Sequence, residues 1–497
     1  MANAVARTVT AEERPAGFLG LMRNRNYALL WWGQLVSELG NRFHWIAVSL
    51  WIYSLTRSAA AVSLAISSMF VGGLLVSLWA GVLVDRLNRK TILIASDLTR
   101  AGLVALIPSL MQVNLWLVYA DLALISVATA FFRPAIFAVV PQMVHRRDLL
   151  PANSFFSVMD TGTEIVGPAA AGILAFKYGY APLLYLDAGT YVVSVLCILA
   201  MSIAPLVVQA GQRLQLSTIW GGVLEGLRYV RRDSLQWGLF LLIFPASLVG
   251  SGLNALQTPL AKGIIRITDA EFGMFQSTWG VGFVIASLLL GWYGVQIRKS
   301  FIMISGFFVA FLATFLMGLS TSFEDLLVTA FAVGFANTLY YVGTNTVVME
   351  HTPQGVIGRV WSIRQVAIGA VRVLSPLIFG TMADSIGIRE AIVAMAAVGT
   401  LGTATVVIVR PVLRQFDAAG VSLDERTLSV WAIISGPTNP DLDEAQQRRL
   451  NVITTGIVLL GWLGLLYKVP YHALGLVSIV LALAVLGTLA RRRGWLP

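Results

Sequence analysis

Cysteine is nearly missing from this chain. Cys197 stands alone among 497 residues, so no disulfide can form within it. Histidine is scarce: His44, His145, His351 and His472 fall at no metal-ligand spacing, and neither a metal nor a cofactor is expected. No Gly-x-x-x-x-Gly-Lys-Ser/Thr stretch occurs, which excludes nucleotide hydrolysis at a P-loop. No Ser/His/Asp set suggests an enzyme. Charge is thin as well, at 12% of residues against about 25% in soluble chains. In its place stand 57% hydrophobic residues and a mean hydropathy of +0.77. That balance defines an all-α membrane protein of many spans, because a helix satisfies its own backbone in lipid.

Apolar windows of roughly 20 residues, the length needed to cross a bilayer, recur from residue 29 to residue 409. Six precede a polar, basic linker at 205–234 and six follow it. Two shorter windows lie at 451–490 and predict two extra membrane helices. The predicted organisation is therefore a tail at 1–26, a six-helix bundle at 27–204, the linker, and a second bundle at 235–409. A connector at 410–450, the added pair, and a basic tail at 491–497 follow. The linker reads as a surface amphipathic helix, with Trp220, Val223, Leu224 and Leu227 on one face. Residues 1–26 lack the apolar core of a signal peptide.

Lysine and arginine crowd alternate connections, roughly four to one. Bases mark cytoplasmic loops, so both termini are expected in the cytoplasm and the bundle in the inner (plasma) membrane. The same segregation explains a net charge of +10 without nucleic acid. A repeat of six spans suits alternating access around a site between halves.

The turn Gly81-Val-Leu-Val-Asp85-Arg86-Leu-Asn-Arg89-Lys90 carries an acid at the membrane boundary. Such a carboxylate is costly without a partner, so Asp85 predicts a second element docking on this turn. Within the spans lie Glu38, Asp97, Asp121, Asp160 and Glu164, set against Arg42, Arg100, Arg133, Arg364 and Arg372. At about 2.5–3.5 kcal/mol each in lipid, they must pair or face water. Glu38 and Arg42 are spaced i,i+4 and can pair. Two readings stand for them: a proton acceptor released when the arginine moves, or a permanent intrahelical ion pair. Asp97 and Arg100 read as structural. Asp121, Asp160 and Glu164 are further proton-coupling candidates, the last two on one helix face. Asp160, Glu164, Arg364 and Arg372 pair either across the halves or within each half.

Gly81–Lys90 resembles motif A of the major facilitator superfamily. Gly167-Pro168-Ala-Ala-Ala-Gly172 resembles its motif C, which accompanies export. Gln34–Gly40, Arg133-Pro134-Ala135, Leu149–Ser154 and Gly358-Arg359-Val360 resemble the macrolide-efflux and enterobactin-exporter branch. The resemblance implies the major facilitator fold: two six-helix bundles, here with two additional C-terminal helices. It further implies that Asp85, with Gly81, Arg86, Arg89 and Lys90, forms a conformational latch onto Arg359. In the fifth span, Gly167, Pro168 and Gly172 then allow bending and close helix approach. The cavity candidates are Asn41, His44, Trp45, Tyr341, Arg364 and Arg372. Two departures from the family concern proton coupling. Asn41 stands where relatives usually carry an acid, and Ile125 where motif B has arginine.

These features predict a monomeric secondary transporter exporting small amphiphilic organic compounds, with a proton or another cation as coupling ion. The alternatives are a mover of lysophospholipid or another lipid-like solute, and a non-transporting membrane scaffold or sensor.

Overall fold

A computed structural model describes residues 17–202, 226–294, 297–353 and 356–416; the side chains at 19, 78, 81, 82, 85, 86 and 415 lie outside that description. Among the described residues twelve long helices carry the fold. They are α1 (Arg25–Thr56), α2 (Ala59–Arg86), α3 (Arg89–Val113), α4 (Leu115–Met143), α5 (Leu149–Tyr178) and α6 (Tyr180–Ala200). The second set is α7 (Ser234–Thr258), α8 (Asp269–Tyr293), α9 (Lys299–Gly318), α10 (Phe323–His351), α11 (Ile357–Ile386) and α12 (Ile388–Val409). The added pair expected at 451–490, most of the 410–450 connector, and Trp220, Val223 and Leu224 of the linker lie outside the described residues.

Ten of the twelve helices are long and apolar enough to cross a membrane. The other two are α1 and α5. They match the rest in length, and they are the helices that carry Glu38 with Arg42 and Asp160 with Glu164. Polar residues lower their hydropathy because these helices face something other than lipid.

Short polar turns set the helix boundaries. Asn24 caps α1, its side chain accepting from the Asn26 and Tyr27 amides at 3.1 and 3.2 Å. Ser58 caps α2 through the Ala61 amide. Thr268 with Glu271, and Ser322 with Asp325, form reciprocal capping boxes at the starts of α8 and α10. Each satisfies backbone donors that the first helical turn leaves open. All even-numbered helices start on the face opposite the basic connections, which we call the outer face.

Two seams join the halves, α5 against α8 and α2 against α11. Their glycines define the closest approach. A Cβ on Gly172 would lie 2.5 Å from the Asp269 carbonyl oxygen and 2.8 Å from the Gly273 Cα. On the other seam, a Cβ on Gly380 would lie 2.4 Å from the Ser63 Cβ. At Gly172 backbone meets backbone, and at Gly380 the Ser63 side chain fills the space a Cβ would take.

The seams are internal copies. Pro168 and Pro376 each stand nineteen residues beyond the first residue of their helix (149 to 168, 357 to 376), and Gly172 and Gly380 each follow four later. Their partners Gly273 and Ser63 each stand four residues into α8 and α2. The sequence Ser375-Pro376-Leu-Ile-Phe-Gly380 is thus the second half's counterpart of Gly167–Gly172.

Candidate functional site: a charged cleft between two halves

Polar contacts hold the seams on the outer side. The Ala169 amide, next to the helix-interior Pro168, donates to Ser277 Oγ at 3.0 Å. Ser67 Oγ donates to the Val373 carbonyl at 2.8 Å. Tyr180 OH donates to Asp269 Oδ2 at 3.2 Å, while Lys262 Nζ pairs with Asp269 Oδ1 at 2.7 Å. The Asp384 carboxylate reaches across to Ser58, Ala59 and Ala60. Between these groups lies an outer vestibule of about 550 Å³, lined by Tyr53, Arg57, Lys262 and Arg266 among others.

Half-way along the helices the situation changes. Asp160 and Glu164 of α5, Arg133 of α4, Arg372 of α11 and Tyr341 of α10 are all exposed. Glu38, Asn41, Arg42 and Trp45 of α1 are half-buried. The charges that act on Asp160 are, in order, Glu38, Arg133, Arg42 and Glu164. Arg372 faces Arg133 across the halves and lies over the Phe70 ring at 5.5 Å. Charged groups this deep are costly in lipid, so they belong to a polar cleft between the two halves. Its walls carry acids on α1 and α5, bases on α4 and α11, and aromatic surface from Trp45 and Tyr341.

The expected Glu38–Arg42 ion pair is not formed. Among the described residues neither makes a salt bridge, and the Arg42 Nε is buried without a hydrogen-bond partner. The cause is packing: the Arg42 stem fills the space over Gly167, where a Cβ would lie 2.7 Å from the Arg42 Cβ and Cγ. Gly167 of the proline motif therefore sets the position of a charged side chain as well as the path of α5. Asp160 and Glu164 likewise make no ion pair with Arg364 or Arg372. Arg364 is 5% exposed, has no carboxylate partner among the described residues, and lies 5.6 Å from the Trp361 ring.

At the motif A turn, the side chains of Asp85 and Arg86 lie outside the described residues, and with them the proposed contact to Arg359. The turn's other bases are placed. Arg89 donates to the Ala138 carbonyl at 2.8 Å, and Lys90 donates to the Leu199 and Met201 carbonyls at 2.9 and 2.6 Å. Both satisfy carbonyls near the ends of α4 and α6, where the helix dipole favours positive charge. Arg359 packs against the linker: a Cβ on Gly226 would lie 3.0 Å from its Cβ.

Asn41 and His44 turn away from the cleft into a polar pocket of the first half. Asn41 Oδ1 accepts from Tyr191 OH at 2.5 Å, and His44 Nδ1 lies 3.4 Å from Asp187 Oδ2. Asp187 is missing from the sequence-derived candidates although it is fully buried. Its signal was available, since it is the one acid in the apolar run 182–204.

With this geometry the class of protein is defined: a two-fold helical bundle with a polar cleft between its halves. Residues 16–431 match the family described as transmembrane secretion effector, and the chain belongs to that family, a branch of the major facilitator transporters that includes efflux proteins. Macrolide efflux protein A of Streptococcus pyogenes is 25% identical over 378 residues, covering 73% of this chain and 90% of that protein. The enterobactin exporter of Escherichia coli O1:K1 is 26% identical over 348 residues, covering 65% and 79%. Among solved structures, a variant of the nucleoside transporter NupG superposes with a TM-score of 0.67 at 11% identity, covering 77% of this chain and 99% of that one. A bacterial homologue of the lysosomal transporter Spinster, inward-facing and unoccupied, superposes with a TM-score of 0.63 at 14% identity, covering 79% and 98%. The chain is a multi-pass membrane transporter of the major facilitator fold.

Proposed function

We propose that this transporter exports amphiphilic organic compounds across the plasma (inner) membrane by alternating access, with protons as the driving ion. One observation carries the reading: acids, bases and aromatic side chains of both halves come together at mid-membrane depth, inward of the hydrogen bonds that join the halves on the outer side. The basic connections mark the opposite face as cytoplasmic, so the cleft takes up its cargo from inside the cell with both termini on that side. The relatives named for macrolide efflux and enterobactin export support an organic cargo here.

The cleft suits an amphiphile. Trp45 and Tyr341 offer apolar faces, while the two charge walls hold polar ends of either sign. Glu38, Asp160 and Glu164 are the cavity groups at which proton and cargo compete, and Arg42, held by Gly167, sits beside them. Arg133 and Arg372 form the basic wall, while Arg364 is buried behind it. During the reverse step the Asp85–Arg359 latch closes the cytoplasmic face, and the protein works as a monomer.

Cells expressing the transporter should extrude an amphiphilic dye, and a protonophore should abolish extrusion. Glu38→Gln should remove the proton-driven component while leaving the expression level intact. A lipid mover would instead translocate labelled lysophospholipid in reconstituted vesicles, and a scaffold or sensor would move neither compound.

A further inference from the structure

Behind the cleft wall, α1, α3, α4 and α6 enclose a second set of charged groups. Asp97 and Asp187 are 0% exposed, Asp121 4%, Arg100 3% and His44 8%. Arg100 is already engaged: it binds the Asp97 carboxylate, and its guanidinium lies 4.1 Å from the Phe132 ring and 4.5 Å from the Tyr191 ring. Asp187 faces His44, with Nδ1 and Oδ2 3.4 Å apart. Asp121 also faces His44, and among the described residues Asp97, Asp121 and Asp187 each bury an Oδ2 without a hydrogen-bond partner. Gly40 makes room for this cluster, since a Cβ there would lie 2.4 Å from Asp187 Oδ1 and 2.3 Å from Thr190 Oγ1.

The charges do not balance unless protons are bound. With every acid ionised and His44 neutral, three carboxylates would share one guanidinium in a region closed to solvent. A buried carboxylate in that position takes up a proton rather than remain unpaired. Once Asp97 is matched to Arg100, the remaining Asp121, Asp187 and His44 are neutral together when they hold two protons. One is shared between the facing His44 and Asp187 side chains. The other falls to Asp121, the acid of this cluster without an ion-pair partner among the described residues. Among the described residues no group of three such side chains is placed to hold a metal ion.

We propose that His44, Asp121 and Asp187 form a buried proton-binding site whose proton is exchanged with the cleft past Asn41 and Tyr191 during transport. The proposal rests on the proton-driven export reading for its role in coupling, though not for the site's occupancy. Other titratable or charged groups facing the site are Glu38 from α1, Asp97 and Arg100 from α3, and Tyr191 from α6. The hydrogen bond from Tyr191 to Asn41 links the pocket to the stretch of α1 that lines the cleft. Unloading breaks one N–H or O–H bond and passes the proton to water in the cleft; loading reverses this, and no other bond changes.

Infrared difference spectroscopy on the purified full-length protein in lipid nanodiscs, titrated through neutral pH, reads the site directly. The wild type should show the carbonyl stretch of a protonated carboxylic acid at neutral pH, and Asp121→Asn should lack it. Asn is nearly isosteric with the neutral acid, so this variant should fold and melt like the wild type. His44→Gln should shift the carboxylic band, because it removes a group that faces Asp121. Absence of the carboxylic band in the wild type, or its survival in Asp121→Asn, overturns the proposal. Vesicles with an imposed pH gradient then read coupling. Asp121→Asn should lose gradient-driven accumulation, and its retention would overturn the coupling role. A wild type that shows the infrared band but no gradient-driven accumulation supports the site and overturns the proton-driven reading.

Discussion

The Asp384 carboxylate of α11 caps α2 across the boundary between the halves, accepting from the Ala59 amide at 2.7 Å, the Ala60 amide at 3.2 Å and Ser58 Oγ at 2.5 Å. Helix N-termini present unsatisfied amides and a partial positive charge. Here an acid from the other half satisfies them, so the bond exists only while the outer face is shut. Replacing a capping acid by alanine costs about 0.5–2 kcal/mol. Asp384→Ala should therefore move the closed-to-open ratio of the outer face about 2- to 30-fold toward open. Thiol labelling from outside, on a Cys197→Ser background with a reporter cysteine in the vestibule, measures that ratio. An unchanged labelling rate would contradict the assignment.

The duplicated glycine seams predict a stronger effect of the same sign. A valine at Gly172 or at Gly380 must displace backbone or the body of Ser63, since the nearest atoms lie 2.5 Å or less from an added Cβ. Either substitution should hold the outer face open and stop turnover while the protein still inserts and binds cargo. Gly162→Ala is the control, because nothing lies within 4 Å of its added Cβ. It should leave transport unchanged and, as an alanine within a helix, raise stability by about 0.5–1 kcal/mol. Equal loss of turnover in all three would show that α5 tolerates no change, and the seams would lose their special status.

Asp97 and Arg100 predict a loss of stability rather than of coupling. Removing one partner of a buried pair costs about 3–5 kcal/mol, whereas replacing both with apolar groups is often neutral. Asp97→Ala should lower the melting temperature sharply. Asp97→Ala combined with Arg100→Met should recover most of it, because the arginine would otherwise stay buried between Phe132 and Tyr191. Scanning fluorimetry of the three variants tests this, and additive losses in the double variant would refute the pairing.

Much of the fold was legible because bilayer thickness fixes the length of each apolar run and the bases alternate between faces. The two helices that fall short by composition, α1 and α5, were also those whose internal acids marked them as cleft-lining. The site was legible only in part. Spacing places Glu38 and Arg42 on one face, but whether they pair depends on Gly167 from another helix, which draws the arginine stem away. The proline motif repeated at Ser375–Gly380 was open to reading, yet serine in place of the first glycine conceals the copy. Asp187 was visible as a lone acid in an apolar run. Its partnership with His44 joins positions 143 residues apart (44 to 187), and no local pattern reports that distance.

Motif A separates two roles that its sequence runs together. Lys90 donates to the Leu199 and Met201 carbonyls, and Arg89 to that of Ala138; both bonds lie within the first half and need not change as the halves rock. Lys90→Met should therefore cost about 1 kcal/mol of stability, the worth of a cation at a partly buried helix C-terminus, and leave outer-face labelling unchanged. Arg359→Met addresses the inter-half latch instead. It should leave the melting temperature close to that of the wild type while lowering outer-face labelling, because a weakened cytoplasmic closure favours the state open to the inside. Melting and labelling measured on both variants distinguish the two roles. If Lys90→Met shifts labelling as Arg359→Met does, the helix-end bonds belong to the latch and the turn acts as one unit.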